Sequence, residues 1–367
     1  KVLFAENISI VIQADDSVEV DLAKNNIAFT KIGKPKEGSV ITLKNGDDYF
    51  HFDIPEARDI WFKTSYLLDR EQSGTVKAKE RFDNYKNQPL EFKFPTHFEG
   101  KKVSIDKLKP KPKAAIIREK GSNSEREMAN ALYLAGFEVK DVHMTDLIAG
   151  RETLEDIQFI GAVGGFSNSD VLGSAKGWAG AFLYNEKAKV ALHNFFKRED
   201  TLSVGICNGC QLFVELGIIH PDHEKKPKMF HNDSKKHECG FTSVIVPNNN
   251  SVMLSTLAGS KLGVWISHGE GKFSLPYSEG HYNIVAKYSY KDYPANPNGS
   301  DFDIAMMASK NGRHLIAMPH IERSILQWNW PAYPEGRTDE VSPWYEAFVN
   351  ARKWIEKYNV ENGEKSI

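Results

Sequence analysis

From Ala114 onward, predicted strands alternate with predicted helices. The first four strands are AAII, EVKDVHM, FIGAVGG and TLSVGIC. Ser122 and Glu125 predict a capping box for the first helix, and Gly136 predicts its end. Because strands joined through helices lie parallel, the pattern predicts an α/β fold with a mostly parallel sheet flanked by helices. An added or mixed part of the sheet is predicted from FTSVIVP, YNIVAKYS, DIAMMAS and HLIAMPH.

The preceding residues, 1–106, predict a smaller β-rich α+β segment. Residues 8–14, ISIVIQA, alternate as a half-buried strand does. VITLK and DDYFHFDI flank Asn45-Gly46, which predicts a hairpin with a type I′ turn. A helix is predicted around Pro55, and the polar stretch after it is expected to be exposed.

A change of composition marks the predicted domain boundary. Residues 107–113, KLKPKPK, combine lysines with two prolines, which stiffen a charged linker. Residues 114–367 then form the main domain. Because the chain opens with Lys1 rather than Met, in a segment that resembles the interior of a fold, we expect a piece of a longer polypeptide.

Charge and cysteine content exclude several classes of protein. The 47 basic and 49 acidic residues give a net charge of −2, which favours neither nucleic acid nor an anionic membrane as partner. No run approaches the roughly 20 apolar residues that span a bilayer, and the first residues lack the features of a signal peptide. Three cysteines argue against a disulfide framework. We expect a cytoplasmic protein.

The segment Gly205-Ile206-Cys207-Asn208-Gly209 has the outline of a nucleophile elbow, a tight strand-to-helix turn. Cys207 then lies at a helix N-terminus, which favours a thiolate, and the Asn208 N–H faces a developing oxyanion. Two alternatives are an inert buried cysteine and a redox pair with Cys210. The apolar strand before Cys207 and the flanking glycines favour the elbow.

Two further segments supply partners for such a nucleophile. Gly164-Gly165 follows the strand FIGAV and offers a second N–H group for an oxyanion hole. Taken alone the segment fits an ordinary strand-to-loop turn better, and the elbow strengthens the functional interpretation. His320 and Glu322 follow the strand HLIAMPH at a spacing of two, which places both side chains on one face of extended backbone. The carboxylate can then orient the imidazole as a general base.

The remaining polar clusters carry weaker signals. His231, His237 and Cys239 fit no standard zinc spacing, and we expect them in an exposed loop. Ser267-His268-Gly269-Glu270-Gly271 suits a pocket wall or a tight turn equally well. Neither a P-loop nor a G-x-G-x-x-G fingerprint occurs. The sequence predicts no metal and no cofactor on this chain.

Four motifs occur together in one order: VGGFSNSDVLGSAKGWAGAFLYN, GICNGCQLFVELG, SHGEGKF and MPHIERSILQWNWP. This set resembles the glutaminase domain of the phosphoribosylformylglycinamidine synthase family in its large single-chain form, over roughly residues 113–355. LFAENISIVIQ and PEARDIWFKTSY more loosely resemble the tail of the synthase half. The resemblance implies a class I glutamine amidotransferase fold with a flavodoxin-like core.

The resemblance also implies roles for residues at matching positions. Cys207, His320 and Glu322 correspond to the catalytic triad, with Gly165 and Asn208 at the oxyanion hole. Pocket residues are expected at Phe166, Gln211, His268 and Glu270. The family hydrolyses glutamine and uses the ammonia to convert formylglycinamide ribonucleotide to the amidine, with ATP and magnesium bound in the synthase half. The expected partner is therefore the remainder of that polypeptide.

This sequence departs from the family pattern at two places. Asn168-Ser169 replace the usual Tyr-Gly before Asp170, and His231 and Gly240 stand where arginines are usual. Both departures lie outside the triad, at positions that we expect to affect glutamine binding and domain coupling. Two alternative functions are a free-standing γ-glutamyl hydrolase-like enzyme and a non-catalytic glutaminase-like interaction domain. The HGEG and NGCQ motifs argue against the first, and the intact triad argues against the second.

Overall fold

The computed structural model of the chain describes residues 6, 8–105 and 110–363. The chain divides into two compact units, Lys1–Thr64 and Ser65–Ile367. Outside the described residues lie 106–109, at the predicted domain boundary and linker, as well as 1–5 and 7. In the part that the structure describes, no helix is both long and apolar enough to cross a bilayer.

The first unit contains a short helix, a hairpin and the start of a long helix. Helix α1 spans Val18–Lys24, and β1 (Val40–Asn45) pairs antiparallel with β2 (Asp48–Asp53), which confirms the predicted hairpin. The predicted type I′ turn was wrong. Its central residues are Gly46 and Asp47, of which only Gly46 has a positive φ, 62°, as the first position of a type II′ turn requires.

The strand predicted at residues 8–14 was also wrong. The structure assigns these residues to no helix or strand and leaves Ile8 and Ile10 exposed. The alternation of apolar and polar residues gives a strand one apolar face. The backbone N–H and C=O groups of a strand also need a neighbouring strand as partner, and no described strand pairs with this segment. Among the described residues up to Thr64, none is buried.

Helix α2 spans Ile54–Asn84, with Pro55 in its first turn as predicted. The backbone leaves the helical conformation at Gly74, where φ is 76° and ψ is 164°. The polar stretch predicted to be exposed forms the second half of this helix, and Ser73 and Ala78 within it are buried. The polar composition of this stretch therefore did not reveal that one face of the helix is buried in the second unit.

A mixed sheet of nine strands organises the second unit, within the described residues. In spatial order the strands are β4 (Glu138–His143), β3 (Lys113–Arg118), β5 (Phe159–Ala162), β6 (Leu202–Ile206), β13 (His314–Ala317), β12 (Ile304–Ala308), β11 (Asn283–Tyr288), β8 (Glu238–Ile245) and β9 (Lys261–His268). Pairing is parallel from β4 to β13 and antiparallel from β13 to β9. A separate small sheet pairs β7 (Lys228–Phe230) with β10 (Lys272–Ser274).

Helices accompany this sheet, which confirms the α/β class. They are α3 (Glu125–Ala135), α4 (Met144–Ala149), α5 (Lys176–Tyr184), α6 (Glu186–Lys197), α7 (Asn208–Glu215) and α8 (Trp344–Gly363). In α3, Met128, Ala131 and Leu132 are fully buried at the spacing of one helix face. Burial of each larger apolar side chain of this kind contributes about 1.5–3 kcal/mol.

The capping box predicted at Ser122 was wrong, although Gly136 ends α3 in the left-handed conformation as predicted. Helix α3 begins at Glu125, and the Ser122 hydroxyl donates to the Glu119 carbonyl at 2.6 Å instead. Ser122 also forms an isolated β-bridge with Gly165. This bridge holds residue 122 in a turn beside the loop after β5, so the helix starts later.

The topology brings three loops to one edge of the sheet. Strands β5, β6 and β13 are consecutive neighbours and run parallel, so their C-terminal ends lie side by side. Cys207 directly follows β6, Gly164 and Gly165 follow β5, and His320 follows β13. The carboxyl edge of a parallel sheet is where α/β folds bind ligands.

Candidate active site

Cys207 occupies a strained turn between β6 and α7, with φ 53° and ψ −107°. A residue other than glycine in such a conformation costs about 1–3 kcal/mol, and such strain concentrates at functional sites. The turn is held by the Cys207 N–H, which donates to the Ala317 carbonyl at 2.8 Å. A Cβ atom at Gly205 would lie 2.5 Å from the Gly209 carbonyl oxygen, and one at Gly209 would collide with the Ala162 carbonyl. The glycines are therefore required, and the predicted elbow is formed.

His320 and Glu322 lie beside Cys207 and are almost fully buried. His320 Nδ1 is 2.6 Å from Glu322 Oε1, and the Cys207 side chain lies close enough to the imidazole to affect its pKa. The predicted contact is present, but its geometry differs from extended backbone, because Ile321–Arg323 form a 3-10 turn. The turn, rather than a shared strand face, returns the carboxylate to the imidazole.

The surroundings of His320 favour its protonated form. Burial alone would lower the pKa of the imidazole, but the charge of the Glu322 carboxylate, its hydrogen bond to His320 and the nearby Cys207 side chain outweigh burial and raise the pKa to about 10. At neutral pH an imidazolium therefore faces the Cys207 sulfur.

Two backbone amides were predicted as oxyanion-hole donors beside Cys207, those of Gly165 and Asn208. Asn208 is the first residue of α7, where a helical N–H has no intrahelical partner. Gly165 has φ 110°, and a Cβ there would lie 2.5 Å from the Asn123 nitrogen. Neither N–H has a partner among the loop and turn backbone hydrogen bonds of the described residues. Gly164 also leaves room for His320, since a Cβ at that position would lie 2.8 Å from the imidazole Cε1.

Cys207 opens onto a cavity of about 190 Å³. The four pocket residues expected from the sequence all border this cavity: Phe166, Gln211, His268 and Glu270. The cavity wall also contains charged and ionisable residues that were not predicted as pocket residues: Asp170, His231, Lys235, Lys236 and His237. These residues come from two loops, around residues 165–170 and 231–237.

Cys210 and Cys239 occupy different environments. Cys210 is fully buried, and burial raises its pKa well above the ordinary thiol value. Cys239 is exposed, and all three cysteines are free thiols. These environments do not suit a redox pair of Cys207 and Cys210. Within the described residues, no cluster of three metal-binding side chains includes Cys239.

Hydrogen bonds connect three segments near the cavity, namely α7, the HGEG segment and the loop before α5. Gln211 Oε1 accepts from Asn208 Nδ2 at 2.8 Å, and Gln211 Nε2 donates to the Glu270 carbonyl. Glu270 Oε2 accepts from the Ser174 N–H at 2.5 Å and from its hydroxyl at 2.6 Å. Gln211 thus ties α7 to the HGEG segment, and Glu270 ties that segment to the loop before α5.

Comparison with known proteins places this architecture in a family. Residues 111–355 match the CobB/CobQ-like glutamine amidotransferase domain. The chain belongs to the glutamine amidotransferase family. One relative is the probable phosphoribosylformylglycinamidine synthase, chloroplastic/mitochondrial, of Arabidopsis thaliana. This amidotransferase chain is 39% identical to it over 386 residues, which cover 96% of this chain and 27% of that protein.

Two further relatives agree with this assignment. The phosphoribosylformylglycinamidine synthase of Homo sapiens is 37% identical over 390 residues, covering 96% of this chain and 29% of that protein. The structure of PurLQS from Thermotoga maritima matches with a TM-score of 0.51 and 27% identity, covering 68% of this chain and 99% of that chain. The amidotransferase chain therefore spans less than a third of the length of the two synthases.

In this amidotransferase fold, His268 is an uncharged hydrogen-bond acceptor. Burial, and the nearby charge of His320, lower its pKa to about 3. The Asn232 amide group donates to the carbonyls of Lys236 and His268, so its oxygen faces His268 Nδ1, at 3.3 Å. Nδ1 therefore carries the proton, and Nε2 is a bare acceptor without a partner among the described residues.

Proposed function

We propose that this chain is the glutaminase part of a phosphoribosylformylglycinamidine synthase. The observation that supports the proposal is the arrangement of Cys207, which borders the cavity, beside the buried His320 and Glu322. A strained nucleophile, a hydrogen-bonded imidazole and an orienting carboxylate are the parts that nucleophilic catalysis needs. Family membership makes glutamine the expected substrate.

The geometry suits a two-step reaction through a thioester. The Cys207 thiolate attacks the carbon of the glutamine side-chain amide, and the Gly165 and Asn208 N–H groups stabilise the oxyanion that forms. His320 gives its proton to the leaving nitrogen, so that ammonia departs and a γ-glutamyl thioester remains. His320 then accepts a proton from water, which attacks the thioester and releases glutamate. Glu322 orients the imidazole and stabilises its charge in both steps.

The similarity to whole synthases supports a destination for the ammonia. We propose that it replaces the formamide oxygen of formylglycinamide ribonucleotide at a site in the remainder of the polypeptide. ATP and magnesium would bind there rather than on this chain, since the synthases are more than three times as long as the matched part. Ligation thus depends on that remainder, while the chain described here supplies the glutaminase half-reaction.

Two other functions make different predictions. A free-standing γ-glutamyl hydrolase-like enzyme would act on γ-glutamyl peptides without any synthase partner. A non-catalytic interaction domain would show no glutamine hydrolysis in any context. The complete set of reacting groups at Cys207 favours catalysis, and similarity over 96% of the chain to two synthases favours the coupled enzyme.

Ammonia release from glutamine tests the proposal. The chain is assayed alone and inside the full-length synthase, each with a Cys207→Ala counterpart. We expect glutamine-dependent ammonia that disappears in both Cys207→Ala proteins and increases in the full-length context. Activity that survives Cys207→Ala would contradict the catalytic assignment. Equal activity in both contexts, with a preference for γ-glutamyl peptides, would favour the hydrolase.

A further inference from the structure

Asp170 enters the cavity on a loop that local sequence pattern does not predict. Asn168, Ser169 and Asp170 have φ of 52°, 59° and 46°, so three successive residues other than glycine adopt the left-handed conformation. Each such residue is unfavourable in an isolated chain. Together they turn the chain after Phe166 so that the Asp170 carboxylate borders the same cavity as Cys207.

The Asp170 carboxylate has only neutral partners. Its two oxygens each lie 3.2 Å from Asn208 Nδ2, and one accepts from the Ala175 N–H at 3.3 Å. No cation pairs with Asp170 among the ion pairs of the described residues. Burial, and then the nearby negative charge of Glu270, raise the pKa of its carboxyl group. The protein leaves this half-buried anion without the positive charge that would compensate its desolvation.

Two positive side chains of the cavity wall face carboxylates other than Asp170. Lys236 forms an ion pair with Asp69, and His231 lies 3.6 Å from Glu270. A second acceptor that lacks a donor borders the same cavity, the bare Nε2 of His268, whose side chain is almost fully buried. A ligand that satisfies this cavity therefore brings N–H donors and a positive charge.

We infer that Asp170 binds the α-ammonium group of the glutamine substrate. The inference rests on the proposed function, because glutamine presents its side-chain amide to Cys207 and leaves the α-ammonium as its one cationic group. An ammonium offers three N–H donors and the missing charge. Asp170 is thus a specificity residue, which selects a free α-amino acid over acids and amides that lack the amino group.

Paired probes measure this selection at Cys207. One probe is 6-diazo-5-oxo-L-norleucine, an electrophilic glutamine analogue, and the other is the same diazoketone without the α-amino group. Rates of Cys207 labelling are compared by peptide mass spectrometry for the unaltered chain, Asp170→Asn and Glu155→Gln. Asparagine keeps an acceptor oxygen for Asn208 and tolerates the left-handed conformation. Glu155→Gln removes one charge at a residue outside the cavity wall.

A hydrogen bond to a charged group is worth about ten- to hundredfold in selectivity. We expect that preference for the amino-bearing probe in the unaltered chain and in Glu155→Gln. In Asp170→Asn the preference should fall at least tenfold, while the rate with the des-amino probe changes less than about twofold. Equal slowing of both probes in Asp170→Asn would overturn the inference, because Asp170 would then act only through Asn208.

Two further outcomes also decide the matter. An unaltered chain that labels equally fast with both probes has no ammonium subsite, which contradicts the inference and leaves the glutaminase proposal standing. A folded full-length protein that labels at Cys207 with neither probe contradicts the proposed function itself, and the subsite with it. Circular dichroism of each variant, together with its rate with the des-amino probe, shows whether a loss comes from misfolding.

Discussion

The two ends of the cavity are built in different ways. The reaction end comprises Cys207, His320 and Glu322, which are buried on short connections after neighbouring strands, with His320 hydrogen-bonded to Glu322. The binding end comprises Asp170 and Lys235, which lie on loops and are more exposed. In the proposed function, the sheet therefore positions the reacting groups, whereas segments outside its strands position the groups that we propose bind glutamine.

The largest expected effect is at the reaction end. Cys207→Ala removes the nucleophile, and glutamine-dependent ammonia release should fall by ~10⁴-fold or more. Cys210→Ala is the matched control, because Cys210 lies three residues after Cys207, in α7, and is fully buried. It should keep activity within a few-fold. A Cys210→Ala variant as inactive as Cys207→Ala would contradict the assignment of the nucleophile.

Glu322→Gln should lower turnover by roughly 10³-fold, because a neutral amide orients the imidazole without stabilising its charge. It should also change the pH profile. In the unaltered protein the pKa of His320 is about 10, so the imidazolium persists through neutral pH and activity falls only as pH rises toward that value. Without the Glu322 charge, burial lowers this pKa, and the alkaline fall should begin at lower pH.

The measurement is the labelling rate of Cys207 from about pH 6 to 10.5, a range set by the ordinary and raised histidine pKa values. Superimposable profiles for the unaltered protein and Glu322→Gln would show that Glu322 does not control the charge of His320.

A smaller effect is expected from a contact behind the binding end. Asp69, on α2, is buried and pairs with Lys236 of the loop that borders the cavity. Asp69→Asn should loosen this loop and raise KM for glutamine roughly three- to tenfold with little change in kcat. Asp83→Asn is the matched control, since Asp83 lies on the same helix but pairs with Lys79 at an exposed position. A kcat effect as large as the KM effect would place Asp69 in support of the reaction end.

The smallest effect belongs to Lys235, an exposed residue at the rim of the cavity. We expect it to attract the α-carboxylate of glutamine through solvent-screened charge. Lys235→Gln should raise KM about two- to fivefold at low salt. Added salt should diminish the difference from the unaltered protein, and Lys235→Arg should retain the normal KM. A salt-independent change would indicate a direct, desolvated contact instead.

The reaction end could be predicted from the sequence because its geometry is encoded locally. The glycines at 205 and 209 are required by collisions within five residues of Cys207 and with the adjacent strand. The spacing of His320 and Glu322 predicted their contact, although a 3-10 turn rather than extended backbone produces it. Neighbouring parallel strands then bring the two segments together.

The binding end could not be predicted in the same way. Three residues other than glycine take left-handed conformations to place Asp170, and no local pattern signals them. Asp69 and Lys236 meet across 167 positions of sequence. The strand expected at residues 8–14 failed for a related reason, because alternation shows which face is apolar but not whether a neighbouring strand exists. Long-range contacts, rather than residue type, decided these cases.

The most direct test of the account is labelling with 6-diazo-5-oxo-L-norleucine, mapped by peptide mass spectrometry in a Cys239→Ser background. That substitution removes the exposed thiol, and the buried Cys210 with its raised pKa serves as an internal reference. The account predicts a single label on Cys207 that excess glutamine suppresses. Label on Cys210, label on Cys207 that glutamine does not suppress, or no label in the folded full-length synthase would contradict it.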